Sequence, residues 1–185
     1  MEKILVLDFG GQYNQLIARR VRDHGVYAEI LPYTVPLETI KENNYKGIIF
    51  TGGPNSVFEM SSPHYAKEIL DIGVPILGIC YGCQLVAWMA EGEVETAPVS
   101  EYGKIEITVK NSAIFKNIPE KSIVWMSHTD RISKAPEGFE IIGKTDDCPC
   151  AAMQNTEKRI YAVQFHPEVT HSEYGNAVLH NFLYE

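Results

Sequence analysis

Val74 to Ala90, VPILGICYGCQLVAWMA, decides the fold. Its first half, Val74 to Ile79, is an apolar, β-branched run of the length expected for a strand buried on both faces. From Tyr81 the pattern changes to a helical one, with Cys83, Val86, Ala87 and Ala90 on one side. Strand therefore passes to helix with no connecting loop. Gly78 stands two residues before Cys80 and Gly82 two residues after it, the spacing of a turn too sharp for neighbouring side chains. Such an elbow presents Cys80 at the carboxyl edge of a parallel sheet, where open α/β folds bind their ligands.

The rest of the first half repeats this alternation. Lys3–Phe9 reads as a buried strand and Gln12–His24 as a helix carrying Tyr13, Leu16, Ile17 and Val21 on one face. Tyr27–Leu31 and Gly47–Thr51 read as strands, and Ser62-Pro63 as the start of a helix running to about Ile72. After Gly92 the segments Lys104–Val109, Ser122–Met126, Phe139–Gly143 and Ile160–Gln164 are short strands between polar turns, and Tyr174–Leu183 is a closing helix. The expected fold is a single α/β domain with an open, mostly parallel central sheet, flanking helices and an additional antiparallel portion.

Composition narrows the partners. The chain has 185 residues, 45% hydrophobic and 22% charged, enough for one domain with a sizeable core. Its net charge of −8 argues against binding nucleic acid or an anionic membrane, both of which call for clustered Lys and Arg. Arg19, Arg20 and Arg22 form the one dense basic cluster and read as a solvated helix face, with Arg19 and Arg22 expected near the rim of any docking face. No apolar run approaches the roughly 18 residues of a membrane span, and Met1-Glu2-Lys3 leads into a strand rather than a leader peptide. Four cysteines are too few for a disulfide scaffold, so a cytoplasmic setting with reduced thiols is expected.

Cys80 reads either as a nucleophile favoured by its helix N-terminus or as an inert packing thiol. Cys80-Tyr81-Gly82-Cys83 is also a C-x-x-C, which suits a redox pair or half of a zinc site completed by Cys148 and Cys150. Neither fits well: a redox pair has no need of Gly78, the second cysteine pair has the wrong spacing, and Cys83 opens an apolar helical face. A cysteine that attacks amides needs a base and a carboxylate to orient it. Phe165-His166-Pro167-Glu168 supplies both directly after a strand, although a lone His there could equally be a solvated loop residue. Gly52-Gly53-Pro54 ends another strand, so the amides of Gly53 and Tyr81 are candidate oxyanion donors. No Walker or G-x-G-x-x-G pattern supplies a phosphate cradle.

Together, G-I-C-Y-G-C-Q-L, T-G-G-P and F-H-P-E resemble the class I glutamine amidotransferases, whose fold is flavodoxin-like and whose triad is Cys, His and Glu. The stretches DFGGQYNQLIARRVR from Asp8, TGGPNSV from Thr51, WMSHTD from Trp125 and FHPEVTHSEYG from Phe165 are similar to the amidotransferase domains of the GMP synthase family. The resemblance implies a glutamine amidotransferase type 1 domain over residues 1–185. It makes Cys80 the nucleophile, His166 the general acid and base, Glu168 its orienting partner, and Gly53 and Tyr81 the oxyanion hole. Gly52, Gln84 and the segment Ser127, His128, Thr129 and Asp130 would hold the substrate, L-glutamine. No metal and no cofactor are implied for this chain. Its partner would be an ATP pyrophosphatase domain or subunit of GMP synthase, which uses ATP and Mg²⁺ to aminate xanthosine monophosphate with the released ammonia. Gly11 stands where that family often has Ser, and Cys83 where it often has Met. The chain reaches Glu185 without an S-G-G-V-D-S-type loop, so the expectation is a free-standing subunit or the first domain of a longer enzyme.

Overall fold

The computed structural model describes residues 1–185. Its strands are β1 (Lys3–Asp8), β2 (Tyr27–Pro32), β3 (Gly47–Phe50), β4 (Ile76–Ile79), β5 (Glu93–Val109), β6 (Lys121–Lys134), β7 (Glu140–Lys144), β8 (Ala152–Asn155) and β9 (Ile160–Val163). Its helices are α1 (Asn14–Asp23), α2 (Leu37–Glu42), α3 (Tyr81–Met89) and α4 (Gly175–Tyr184). All nine strands join one sheet in the order β2-β1-β3-β4-β9-β8-β7-β5-β6. The five from β2 to β9 are parallel, and from β8 onward each pairing is antiparallel.

Period-2 alternation divides the apolar strands between two cores. Ile4, Val6, Ile49, Leu77, Ile79 and Val163 face α1 and α4, where Ile17, Ala18, Val21, Val178 and Leu179 cover them. Leu5, Leu7, Ile48, Phe50, Ile76 and Ala162 face the other way, onto Ile40 of α2 and Leu85, Val86 and Ala87 of α3. Covering both faces in this way is what makes the parallel strands continuous apolar runs.

The expected helix from Ser62 to Ile72 does not form; only Lys67–Asp71 turns, as a 3₁₀ segment. Ser62 instead bonds back to the Ser56 carbonyl, and the hydroxyl of Tyr81 donates to the Pro63 carbonyl, pinning the chain as a loop. Helix α2 and strand β8 were not foreseen. The first is six residues long with one buried side chain, and the second contains Gln154 and Asn155, so neither shows a full apolar period.

Candidate active site

Four strand ends meet at the carboxyl edge of the parallel sheet. β1 leads to Gly10–Asn14, β3 to Thr51-Gly52-Gly53, β4 to Cys80, and β9 to Gln164-Phe165-His166. Strands β4 and β9 are neighbours, with Ile79 opposite Val163, so Cys80 and His166 emerge side by side. Together with Ser127–Asp130 of β6, these ends line a cleft of about 270 Å³.

Cys80 has φ +54° and ψ −108°, a conformation that L-residues rarely adopt, and it caps α3. Its flanking glycines are required sterically. A Cβ on Gly78 would stand 2.6 Å from the Gly82 carbonyl oxygen, and one on Gly82 only 2.4 Å from that of Phe50. The turn thereby sets the sulfur at the mouth of α3, whose first-turn amides have no intrahelical partner. The Tyr81 N–H belongs to that turn. The Gly53 N–H donates no hydrogen bond within the protein, so both amides foreseen as oxyanion donors remain open to a ligand.

His166 stands beside Cys80, its Nδ1 lies 2.6 Å from Oε1 of Glu168, and the Cys80 thiol itself donates to the Ser127 carbonyl at 3.6 Å. Gly52 sits against this pair: a Cβ there would be 3.3 Å from Cε1 of His166 and 3.6 Å from Cβ of Cys80. Glu168 is 1% exposed and its second oxygen has no partner, so the imidazole is the group that balances its charge. The guanidinium Nε of Arg20 donates to the Glu168 backbone carbonyl at 3.0 Å and fixes the loop. It is therefore Arg20 that reaches the site. The expectation that placed Arg19 and Arg22 near its rim is corrected for Arg22, which is tied to the Ala28 carbonyl at 2.8 Å.

Burial works against a charge on His166, but the hydrogen bonds and charges of Cys80 and Glu168 outweigh it and carry the imidazole up to about 11. A protonated imidazole facing a sulfur is the counter-ion that a nucleophilic thiolate needs. NMR titration of the His166 ring is expected to show it protonated at neutral pH. Its pKa should fall in Cys80→Ala, which removes the first of the raising contributions. Because the folded value is raised, the linked stability is full below the ordinary 6.5 and is lost as pH rises toward about 11. A wild-type midpoint near 6.5 would show that no ion pair forms.

The other cysteines are a different population. Cys83, Cys148 and Cys150 are each at most 1% exposed and free of disulfides. Burial pushes the Cys83 thiol far up, and Cys148 and Cys150 up to about 12. Thiols held neutral in this way make poor redox partners for Cys80.

All the residues foreseen for the substrate line the cleft, though not all through their side chains. The imidazole of His128 is committed elsewhere, to Asp130 O and Glu101, each at 2.7 Å, so His128 meets the cleft through its backbone. Nε2 of Gln84 donates to Asp130 O and to Gln164, which leaves its carbonyl oxygen without a protein donor. Sequence reading missed Tyr13, whose ring packs edge-on against His166 at 5.4 Å, as well as Asn14 and Tyr102. It also had no means of explaining Gly11. A Cβ at that position would stand 2.6 Å from the Gly52 carbonyl oxygen, so the two loops here pack too closely for a side chain.

A cysteine at a strained elbow, a histidine held by a carboxylate and two free amides form a set that can attack and hydrolyse a carboxamide. Comparison with known proteins agrees in class. The model of the family "Glutamine amidotransferase class-I" matches residues 5–185. This chain belongs to that family. It is 59% identical over 184 residues to the GMP synthase [glutamine-hydrolyzing] of Clostridium botulinum (strain Hall) and 60% identical over 182 residues to that of Clostridium perfringens (strain 13). Those matches take in 99% and 98% of this chain but 36% of each relative, so the chain spans about a third of their length. The crystal structure of a candidate GMP synthase subunit from Thermoplasma acidophilum superposes with a TM-score of 0.85 at 30% identity, covering 99% of this chain and 92% of that one. A Thermotoga maritima glutamine amidotransferase, at 19% identity and a TM-score of 0.74, shares the fold.

Proposed function

We propose that this chain is the glutaminase component of a GMP synthase, and that Cys80, His166 and Glu168 are its catalytic triad. The observation that carries the reading is Cys80 at a strained elbow, beside an imidazole whose Nδ1 is held by a buried carboxylate.

The Cys80 thiolate attacks the side-chain carbonyl carbon of L-glutamine. The oxyanion that forms is held by the Gly53 and Tyr81 amides, each contributing ~10²–10³-fold. Imidazolium His166 passes its proton to the leaving nitrogen, ammonia departs, and a glutamyl thioester remains. Once the sulfur is acylated it no longer supports a charge on His166, so the ring, having given up its proton, stays neutral and free to act as a base. Neutral His166 then takes a proton from water, which attacks the thioester and releases glutamate and the thiolate. Acid first and base second, the one ring contributes ~10²–10⁴-fold. Gln84 and the Ser127–Asp130 backbone hold the amino-acid end of the substrate, with Gly52 leaving room beside the sulfur.

The ammonia passes to an ATP pyrophosphatase domain or subunit, which uses ATP and Mg²⁺ to aminate xanthosine monophosphate to GMP; the complete enzyme is then a C–N ligase of purine biosynthesis. The likeness to the clostridial enzymes, of which this chain spans 36%, supports that assignment. No helix is long and apolar enough to cross a membrane, and with four free cysteines we place the protein in the cytoplasm. Glutamine hydrolysis is expected to be slow for this chain alone. It should rise as a GMP-synthase synthetase partner is added with ATP and xanthosine monophosphate, because a misplacement of about 1 Å in the site costs on the order of 10²-fold. Ammonia release measured across a partner titration tests this. No hydrolysis under any condition would overturn the glutaminase reading, and full activity without partner would overturn only the gating.

A further inference from the structure

The cleft is connected to a chain of buried side chains whose outer members, Thr145, Glu101 and the His128 ring, have no role in the reaction itself. The Cys148 N–H donates to Thr145 Oγ1 at 3.0 Å, and the Thr145 hydroxyl donates to Oε2 of Glu101 at 2.6 Å. Oε1 of Glu101 lies 2.7 Å from Nε2 of His128, whose Nδ1 lies 2.7 Å from Asp130 O. Nε2 of Gln84 donates to that same carbonyl at 3.0 Å and to Oε1 of Gln164 at 3.1 Å, and Nε2 of Gln164 reaches the Cys80 sulfur at 3.7 Å. Glu101, His128, Gln84 and Gln164 are each at most 4% exposed.

Proton accounting defines the central link. A carbonyl oxygen only accepts, so Nδ1 of His128 carries a hydrogen toward Asp130 O. A single further hydrogen lies between Nε2 and Glu101, and every polar atom of the pair is then satisfied. The position of this link matters because the β5–β6 ladder fails beside it. Thr96 pairs with Asp130 and Glu101 with His128, so four residues of β5, Ala97–Ser100, bulge opposite Thr129 alone. Backbone pairing is therefore interrupted at the edge that lines the cleft, and the side-chain chain spans the gap.

We propose that Glu101 and His128 are positioning residues. By holding Asp130 O, they fix the Ser127–Asp130 edge at its distance from the Cys80 sulfur and so set the fit of glutamine. This rests on the glutaminase reading above. It calls for hydrogen bonds and geometry, not for a charge. Glu101, His128 and Cys148 also present ligand-type atoms within 4.8 Å of one another, but each already has a protein partner.

The test uses the chain with its synthetase partner and compares Glu101→Ala, Glu101→Gln and Thr145→Val. Glu101→Ala is expected to raise KM for glutamine by about tenfold or more, while kcat and the rate of Cys80 alkylation by iodoacetamide stay within about threefold. Glu101→Gln should restore KM, because its amide donates to Nε2 and its carbonyl accepts from Thr145. Thr145→Val, which removes only the outer link, should raise KM less and in the same direction; it carries the test if Glu101→Ala fails to fold. Three results would each overturn the proposal: unchanged KM in the soluble variants, Glu101→Gln behaving like Glu101→Ala, or stoichiometric zinc in the purified protein. Wild-type protein that hydrolyses no glutamine would instead remove the reading beneath it.

Discussion

Cys80→Ala is expected to reduce glutamine hydrolysis by on the order of 10⁴-fold or more, the scale on which loss of a nucleophile is felt in comparable triads. Folding should be nearly unaffected, since Ala at φ +54° is as strained as Cys and loses only one buried sulfur. A glutamine analogue with an electrophilic side chain should label the wild-type protein once, at Cys80, and should not label the variant. Cys83 is the internal control. It is fully buried in the apolar face of α3, so Cys83→Ser should leave activity within a few-fold, at about 1 kcal/mol of stability. A redox C-x-x-C would lose its function with either cysteine. Peptide mapping after labelling, with steady-state ammonia release, decides the matter: label on Cys83, or equal losses in the two variants, would sink the assignment.

Gly82→Ala, one methyl group on the far side of the elbow, should be nearly as damaging. Its Cβ would lie 2.4 Å from the Phe50 carbonyl oxygen and 2.8 Å from the carbonyl carbon. Those atoms are backbone of β3, so no side-chain rotation can relieve the contact. Either α3 lifts away from the sheet or β3 and β4 part. The expected cost is about 3 kcal/mol of stability, the upper end for overpacking, with at least ~10²-fold of activity lost through displacement of the sulfur. Urea midpoints and ammonia release measure the two effects. A Gly82→Ala protein with wild-type stability and rate would mean the turn is wider than described.

What the sequence disclosed about the site was what it compresses into a few consecutive residues. The elbow is legible because Gly78, Cys80 and Gly82 bracket a strand-to-helix junction, and His166 with Glu168 because a candidate base and a candidate orienting acid stand two positions apart. The opposite wall is not legible in this way. Tyr13 and Asn14 enter the cleft from the start of α1 and Tyr102 from β5, far along the chain, and their meeting depends on sheet order. The same limit hid the network behind Asp130. Glu101 and His128 carry no spacing signal, because the bulge that brings them opposite each other is a property of two paired strands. Ser62-Pro63 misled for another reason: a helix-start signal cannot compete once Ser56 and Tyr81 bind that loop from outside.

Strand β9 enters the sheet at its centre, between β4 and β8, although it is the last strand in the chain. That ordering carries a temporal consequence. During synthesis the elbow and both candidate oxyanion loops precede His166 in the chain, so a growing chain holds the proposed nucleophile before its proposed proton donor. On the glutaminase reading, hydrolysis would begin only once β9 slots in and closes the sheet, and unfinished chains would release no ammonia. The same insertion leaves β4 and β8 as open edges until late, so the interval before closure is when this protein is most exposed to mispairing with other chains.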